Sequence, residues 1–383
     1  MNEEEERNID LEYKIWKLYT PLLYEFVIVY SLNSPAYSIT NLYQNENSEN
    51  YLGFLKDSLF LINTSIPKDD DIINIDYQDE SEFGGFGISQ NTKVETKHLL
   101  SVSENANILS LNSNKEGTKV LLSTSQGPYF FNGNFEQPIF SSIEIEHQPI
   151  VARHHFSMNE YNDKKFYIWN TMSQIVECID LNTLKSESKI NAKSKIMDFD
   201  WNSKNENIFG IVDEDKKIQI LDQRTDSNTI NSSNIAHDDS INCIKFHPEL
   251  SNLFATASND KSIKIWDLRN FQKEPLFKLQ SHNGSVRCVK WNPLFGDIIG
   301  SCGLDRKIMI WDLANSGKKL KPESQDGPPE LLFIHGGHTT TISDFTWNYK
   351  NPWVVASTSF DNILEIWEMN HNIYLDFDEF FEK

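Results

Sequence analysis

The sequence has few cysteines, and their spacing excludes two kinds of cross-linked site. Four cysteines occur in 383 residues, at Cys178, Cys243, Cys288 and Cys302, and none belongs to a CxxC pair. Zinc sites and disulfide scaffolds need cysteines that are more closely and regularly spaced. We therefore predict neither a metal site nor a disulfide framework, and we interpret the four thiols as reduced core residues.

Long apolar runs are also missing. The longest, residues 22–32, contains Glu25, whereas a helix needs about 20 apolar residues to span a bilayer. Residues 3–6 are all glutamate, although a secretory signal peptide begins with positive charge. These two absences predict an intracellular, soluble protein.

Basic side chains are outnumbered by acidic ones. The chain has 35 Lys and Arg against 56 Asp and Glu, a formal net charge of −21. That balance disfavours general attraction to nucleic-acid phosphates or to an anionic membrane. It predicts basic proteins as partners, with no direct binding to nucleic acid or membrane.

The C-terminal half contains a repeat. A histidine is followed 23 residues later by an aspartate and 29 residues later by a tryptophan, and apolar residues alternate between the aspartate and the tryptophan. Such alternation predicts a strand, and a period of 45 residues ending in Trp-Asp is typical of a four-stranded WD-repeat propeller blade. The three sets are His237, Asp260 and Trp266; His282, Asp305 and Trp311; and His338, Asp361 and Trp367.

Weaker repeats precede these three. Asp215 begins a fourth copy, in which Ala192 occupies the histidine position. Strand-like segments predict a third blade ending at Asp180, a second around residues 120–132 and a first at residues 34–63. The expected fold is therefore an all-β, seven-bladed WD-repeat propeller with an N-terminal α-helix.

The chain ends complete this expected domain organisation. Helical spacing of apolar residues predicts a helix over residues 4–18, within a segment 1–20 that packs on the propeller flank. Residues 21–375 form the propeller as a single domain, and residues 376–383 form an acidic tail. Ring closure needs both chain ends in one blade, so residues 22–32 are predicted to lie outside the strand that ends at Trp367.

A histidine, an aspartate and a nearby Ser or Thr could also indicate a hydrolase. The combination recurs with Thr256, Ser301 and Ser357, and an active site is needed only once. A hydrogen-bond network joining histidine, turn aspartate and tryptophan N–H is needed in every blade. We therefore predict a structural network in a protein that is not an enzyme and has no cofactor.

Two additions to the repeat predict a binding groove. The first is the N-terminal helix, and the second is an insertion of 11 residues near residues 318–330, because His282 and His338 are 56 residues apart instead of 45. Both lead to the last blade. Apolar walls with an acidic rim would accept an amphipathic basic helix, although a helix that merely caps the flank beside a passive loop would have the same spacing.

Several segments resemble the histone-binding WD-repeat family, the retinoblastoma-associated and chromatin assembly factor small-subunit type. The most specific is the run Asp-Gly-Pro-Pro-Glu-Leu-Leu-Phe-Ile-His-Gly-Gly-His at residues 326–338. Further matches occur at residues 12–17, 20–21, 82–87, 342–345, 351–353 and 372–374. The resemblance spans most of the chain but is weak over residues 43–181.

The resemblance implies that the helix and the loop hold a core-histone helix between them. It also implies a nuclear and cytoplasmic, monomeric propeller within histone acetyltransferase, deacetylase, remodelling or Polycomb complexes. A WD-repeat adaptor outside chromatin, with another protein's helix in the groove, is the competing interpretation. The implied groove residues are Leu22, Leu23, Phe26, Asp326, Glu330, Leu331, Leu332, Phe333 and Ile373.

Family members also have an acidic ring on one propeller face for a histone tail. Here the matching positions carry neutral or basic residues, so the sequence predicts that this second site is weak or absent. The positions are Ala106, Ile108, Ile150, Ala152, Lys195, Met197, Ser240, Asn242, Ser285 and Arg287, with Phe360 at a further one.

Overall fold

The computed structural model describes one helix, seven sheets and many of their connections. The described residues are 3–32, 34–45, 48–54, 58–64, 94–101, 108–113, 119–124, 127–132, 140–142, 154–158, 165–170, 175–180, 183, 185–191, 194–205, 207–222, 224, 236–271, 274–318 and 327–374. The predicted groove residue Asp326 and the predicted tail at 376–383 lie outside them.

The chain begins with helix α1 (Glu3–Leu23) and strand β1 (Tyr24–Ser31), and then builds seven blades in order. Blade one contains β2 (Ser38–Asn45), β3 (Ser48–Phe54), β4 (Ser58–Thr64) and β5 (Val94–Ser101); blade two contains β6 (Ile108–Ser113), β7 (Lys119–Thr124), β8 (Gly127–Asn132) and β9 (Phe140–Ser142); blade three contains β10 (His154–Met158), β11 (Lys165–Asn170), β12 (Ile175–Asp180) and β13 (Lys185–Asn191).

Blade four contains β14 (Ile196–Trp201), β15 (Ile208–Asp213) and β16 (Ile218–Asp222); blade five contains β17 (Ile241–Phe246), β18 (Leu253–Ser258), β19 (Ser262–Asp267) and β20 (Phe277–Gln280); blade six contains β21 (Val286–Trp291), β22 (Ile298–Gly303), β23 (Ile308–Asp312) and β24 (Leu331–His335); blade seven contains β25 (Ile342–Trp347), β26 (Val354–Ser359) and β27 (Ile363–Met369). The predicted all-β, seven-bladed propeller with an N-terminal helix is confirmed.

The first strand of each blade lies innermost, because these strands contact one another from blade to blade. Apolar side chains of adjacent blades pack between the sheets, and small residues allow the sheets to approach closely. A Cβ atom on Gly300 of β22 would come within 2.8 Å of the Phe345 ring in blade seven. The core is therefore a series of inter-blade layers around the ring.

The ring closes through β1, which pairs antiparallel with β27 on the outside of blade seven. Val27 lies opposite Trp367, which agrees with the predicted donation of an N-terminal strand. The first strand of the chain and the last described strand are thus held in one blade.

The boundary between helix and strand differs from the prediction. Helix α1 continues through Leu23 rather than ending at residue 18 or 20, so Leu22 and Leu23 belong to the helix and the strand begins at Tyr24. Pro21 lies inside the helix and lacks an N–H, so one helical hydrogen bond is absent there. The carbonyl of Leu23 accepts a hydrogen bond from Asn370 N at 2.8 Å, which satisfies the last turn.

The early blades are longer than the sequence suggested. Blade one extends to β5 and includes a connection at residues 65–93 that lies outside the described residues. Blade three begins at β10 and ends with β13, beyond the Asp180 that ends its sequence repeat. The difference arises because Trp-Asp marks the end of a blade's third strand, whereas the fourth strand follows it.

None of the helices among the described residues is both long and apolar enough to cross a lipid bilayer.

Candidate binding site

The repeat residues of blade five form a hydrogen-bonded chain. Trp266 Nε1 donates to Thr256 Oγ1 at 2.8 Å, and the same hydroxyl lies 2.8 Å from His237 Nε2. His237 Nδ1 is 2.8 Å from Asp260 Oδ2. Burial works against the charged form, but hydrogen bonds from His237 and Ser262 hold the pKa of the Asp260 carboxyl well below its usual range. These hydrogen bonds join β18, β19 and the turn between them to the segment that precedes the blade's innermost strand, β17.

Blade six repeats this arrangement with serine in place of threonine. Trp311 Nε1 and His282 Nε2 both lie 2.8 Å from Ser301 Oγ, and His282 Nδ1 lies 2.8 Å from Asp305 Oδ2. Asp305 also accepts the backbone N–H of Asn283 at 3.0 Å. The same geometry in two blades indicates a structural role for both sets of residues.

In blade seven, one more residue takes part in the series of hydrogen bonds. Trp367 Nε1 donates to Ser357 Oγ at 3.3 Å, and His338 Nε2 lies 2.8 Å from that hydroxyl. His338 Nδ1, however, contacts Ser359 Oγ at 2.7 Å, and the Ser359 hydroxyl then donates to Asp361. Histidine and aspartate are therefore connected through a serine and do not touch directly.

Blade four replaces the histidine network. Ser194 Oγ donates to Asp213 Oδ2 at 2.6 Å, and Gln219 Nε2 donates to the same oxygen at 2.8 Å. Lys217 N donates to the other oxygen, Oδ1, at 2.9 Å. A buried aspartate on β15 thus organises a blade whose histidine position holds Ala192, a residue outside the described part of the chain.

The N-terminal helix docks on blades six and seven through a second polar chain. Trp16 Nε1 donates to Tyr24 Oη at 2.9 Å, and Tyr24 Oη lies 2.9 Å from His335 Nδ1. His335 Nε2 is 2.8 Å from Glu365 Oε2, although the angle falls short of a regular hydrogen bond. Gly337 makes room for this contact, because a Cβ there would lie 2.3 Å from Glu365 Oε2 and 2.8 Å from the Trp16 ring.

Burial sets the protonation of this chain. It lowers the pKa of His335 to about 3 and raises the pKa of the Glu365 carboxyl. Because the Tyr24 oxygen accepts the Trp16 N–H, the Tyr24 hydroxyl proton is available for His335 Nδ1. A neutral ring that accepts this proton at Nδ1 would carry its own proton on Nε2, facing Glu365. The sequence did not reveal Glu365, whose counterparts in blades five and six are Lys264 and Met309.

His335, His338 and Glu365 also offer three potential metal ligands within 4.8 Å of one another, the one such group found in the described part of the chain. Both ring nitrogens of His338 already face serine hydroxyls. The 2.8 Å contact between His335 and Glu365 is shorter than about 3.3 Å, the separation of two ligand atoms that share a tetrahedral zinc at about 2.0 Å. The geometry therefore favours direct polar contacts among these residues and the neighbouring serines over a metal site.

Only one side of α1 contacts the propeller. Tyr13, Trp16 and Thr20 face inward, and Glu12 forms an ion pair with Arg306 at 2.6 Å on blade six. A second apolar stripe, at spacings of three and four residues, faces away. Its members are exposed by 49% to 72%: Leu11, Ile15, Leu18 and Leu22.

The last residues that the structure describes, up to Tyr374, lie beside the end of this helix. The short 3-10 turn His371–Ile373 follows Asn370, which bonds the Leu23 carbonyl. Glu25 accepts hydrogen bonds from the backbone N–H and the ring of His371. Leu23 is 36% exposed, and Phe26 and Ile373 are partly buried. Phe26 packs against the layer between blades seven and one, whereas Ile373 packs against the layer between blades six and seven. The structure therefore does not bring these two predicted groove residues to the same side of blade seven.

The predicted groove residues on the blade-six side differ in accessibility. Leu331 and Leu332 are partly buried at the start of the edge strand β24. Glu330 is nearly buried, and its carbonyl accepts a hydrogen bond from Asp312 N at 2.8 Å. Phe333 packs inside the core against Tyr24, with ring centroids 5.2 Å apart. Phe333 therefore supports the wall from within and presents little surface to a partner.

The second predicted site is the propeller face on which the resembling family has an acidic ring. Here an aromatic and a basic side chain occupy two of the corresponding positions. Arg287 lies over the Phe360 ring, 5.9 Å from its centroid, and Tyr37 packs against the same ring. Asn242 donates to Asn259 and to the Val286 carbonyl. The positions Ala106, Ile150 and Ala152 lie outside the described residues. In its described part, this face offers no acidic ring for a basic tail.

Two family models match the chain. The EIPR1 beta-propeller model matches residues 170–311, and the WD domain, G-beta repeat model matches residues 329–368. Neither description names a ligand. The matched segments contain the repeats of blades five to seven, and WD-repeat propellers generally act as non-catalytic platforms for protein interaction. Together with the seven sheets, these matches identify the chain as a WD-repeat β-propeller.

Proposed function

We propose that this protein is a non-catalytic histone-binding subunit of chromatin assembly or modifying complexes. It holds a core-histone helix between α1 and the loop at residues 318–330, and it works in the nucleus and the cytoplasm as one propeller within larger complexes. Acetyltransferase, deacetylase, remodelling or Polycomb subunits are the expected further partners.

The apolar stripe on the outer side of α1 is the observation that carries this proposal. Leu11, Ile15, Leu18 and Leu22 are exposed although the inner side of the same helix is firmly docked. A contiguous exposed apolar strip on a rigid helix is typical of a protein interaction site. An amphipathic helix that lies along it would bury apolar residues at spacings of three and four.

Charge supports a basic partner. The protein carries a formal charge of −21, and the predicted rim of the groove contributes Glu330 and Asp326. Acidic charge at a rim speeds the association of a basic partner, whereas the apolar contacts provide most of the holding energy. Core histones combine a basic surface with amphipathic helices, so they have both required properties.

Titration calorimetry with a core-histone dimer tests the apolar contact. Leu23→Asp should raise the dissociation constant by more than about 100-fold, because burying an unpaired carboxylate costs several kcal/mol. Leu276→Asp is the matched control, since Leu276 is 51% exposed in blade five, and it should bind like the unmodified protein. Undiminished binding by a well-folded Leu23→Asp protein would contradict the proposal.

The rim acids should act differently from the leucines. Replacing Asp326 and Glu330 together with alanine should weaken binding by a smaller factor and flatten its dependence on salt, because acidic charge speeds the association of a basic partner more than it holds the partner. Melting curves control for folding. A steep salt dependence that persists in the double variant would place the charge recognition elsewhere.

A WD-repeat adaptor outside chromatin is the alternative. The match of residues 170–311 to a differently named propeller favours keeping it, and the same stripe could hold the helix of another scaffold. Affinity purification followed by mass spectrometry separates the two functions. Recovery of histones that Leu23→Asp abolishes would support the histone proposal, whereas recovery of a non-histone helix-containing partner with the same sensitivity would favour the adaptor.

A further inference from the structure

Three of the four cysteines lie together in the propeller core. Cys243 on β17 and Cys288 on β21 are 45 residues apart, one repeat period, so they occupy equivalent positions on the innermost strands of adjacent blades. Cys302 on β22 lies directly opposite Cys288 in the antiparallel pairing of blade six. The repeat thus brings together thiols that are distant in the sequence.

The contacts of these thiols connect two blades. Sγ of Cys243 lies 3.8 Å from the Val289 carbonyl oxygen, and Sγ of Cys288 lies 3.9 Å from the same oxygen. Cys288 belongs to the packing of both neighbouring inter-blade layers. Cys243 and Cys302 are buried, whereas Cys288 is partly exposed. Of the three, Cys288 is therefore the thiol that a small molecule in solvent reaches first.

An ion pair between Lys290 and Asp344 lies beside Cys288. Lys290 Nζ is 2.7 Å from Asp344 Oδ1, and Cys288 Sγ is 4.0 Å from that oxygen. Hydrogen bonds from the two neighbouring thiols and the charges of Lys290 and Lys245 lower the pKa of Cys288. The pKa values of the Cys243 and Cys302 thiols are raised. The partly exposed cysteine is thus also the one that is ionised most easily.

The pairing of Cys288 with Cys302 suits a disulfide. Directly opposed residues of an antiparallel pair have Cα atoms about 4.5 to 5.5 Å apart, and their side chains lie on the same face of the sheet. A disulfide needs Cα atoms about 4.4 to 6.8 Å apart. The two thiols can therefore join without a change in strand register.

We propose that Cys288 and Cys302 form a redox site in blade six that reacts with hydroperoxides. The Cys288 thiolate attacks one peroxide oxygen, the O–O bond breaks, and hydroxide leaves, which gives a sulfenic acid. The Cys302 sulfur then attacks the Cys288 sulfur, an S–S bond forms, and water leaves with the Cys302 proton. Overall, two thiols and hydrogen peroxide give one disulfide and two waters.

Oxidation of the full-length protein by hydrogen peroxide tests this site. Thiol counting in denaturant should show the loss of two of the four thiols, and peptide mapping without reductant should recover residues 288 and 302 in one cross-linked species. Cys178→Ser is the matched control and should leave this reaction unchanged. Cys243→Ser removes a neighbour of Cys288 and should still give the cross-link between residues 288 and 302. Reduction with dithiothreitol should restore both thiols.

The variants assign the two roles. Cys302→Ser should stop at a Cys288 sulfenic acid that dimedone traps, whereas Cys288→Ser should lose no thiols at the same peroxide concentration. A Cys243–Cys288 cross-link, an unchanged count of four thiols, or direct oxidation to sulfinic acid in the unmodified protein would overturn the proposal. Mapping of the unmodified protein keeps it testable even if a serine variant folds poorly.

Discussion

Blades five and six use one polar network, whereas blade seven uses another. In blades five and six the histidine contacts the turn aspartate directly, at 2.8 Å in both. In blade seven Ser359 stands between His338 and Asp361. Blade seven is also the blade that contains both chain ends and receives the N-terminal helix. The repeated network thus changes where the chain has an additional task.

The residues that replace the common pattern in blade seven serve the helix. A buried glutamate, Glu365, stands where blade six has Met309, and it faces His335, which Tyr24 connects to Trp16. Strand β27 therefore makes two polar connections. Trp367 contacts its own blade, and Glu365 contacts His335 in the helix dock. A standard blade has no such second connection.

The largest expected difference concerns the turn aspartates. Asp305→Ala leaves His282 Nδ1 without its acceptor inside the protein, so it should lower the free energy of unfolding by an amount toward the upper end of roughly 1 to 3 kcal/mol. Asp361→Ala should cost less, because His338 Nδ1 keeps its contact with Ser359. Urea titrations of both variants measure the difference.

Histone binding serves as a control for the role of Asp305. Binding by the Asp305→Ala protein should fall only in proportion to the unfolded fraction. A variant that stays fully stable yet loses binding would contradict the structural role, and equal destabilisation by the two alanine variants would show that the serine in blade seven makes no difference.

A smaller effect is expected at Gly337. An alanine Cβ would overlap with Glu365 Oε2 and with the Trp16 ring, and overpacking of this kind typically costs about 1 to 3 kcal/mol. The loss should lie at the lower end, because the helix can move outward. Gly53→Ala is the control, since a Cβ there would meet ordinary contacts of 3.6 Å and 3.8 Å.

Tryptophan fluorescence and limited proteolysis measure the dock separately from the propeller. Gly337→Ala should make residues 3–23 easier to cleave while the remaining chain stays resistant. An unchanged cleavage rate would show that the close approach of Trp16 to Gly337 does not hold the helix in place.

The propeller could be predicted because residues of the repeat recur at a constant spacing, which determines the register of blades five to seven. Prediction from the sequence was wrong or incomplete where residues from different blades, or from the two ends of the fold, contact one another. The helix end after Pro21 depends on Asn370, and the Trp16 dock depends on Glu365, more than 300 residues away. The period of 45 could have revealed that Cys243 and Cys288 occupy equivalent positions in adjacent blades. Their wide separation in the sequence instead led to the prediction of isolated thiols.

For a similar reason, the candidate groove could be predicted only in part. Helical periodicity predicted a broad apolar face on α1, but it could not say which part of that face the propeller covers. The structure buries the side with Trp16 and leaves Leu11, Ile15, Leu18 and Leu22 exposed. Phe333 was predicted as a groove residue because of its position in the resembling segment. The alternation of side chains along β24 instead directs it towards the core.

The smallest expected effect is the pH dependence of the blade-seven dock. The folded-state pKa of His335 is lowered to about 3, so between pH 6.5 and about 3 the unfolded chain binds a proton that the folded protein does not. Stability from this group is therefore present above pH 6.5 and is lost as the pH falls, by at most about 1.4 kcal/mol per pH unit. Glu365 acts in the opposite sense, because its raised pKa favours folding at lower pH.

His335→Gln keeps a polar contact for Tyr24 but removes the titration, so its unfolding free energy should fall less steeply than that of the unmodified protein between pH 6.5 and 5. His237 and His338 also have lowered pKa values and remain in both proteins, so the comparison isolates residue 335. An equal slope for His335→Gln and the unmodified protein would mean that the buried ring takes up its proton without opening the dock.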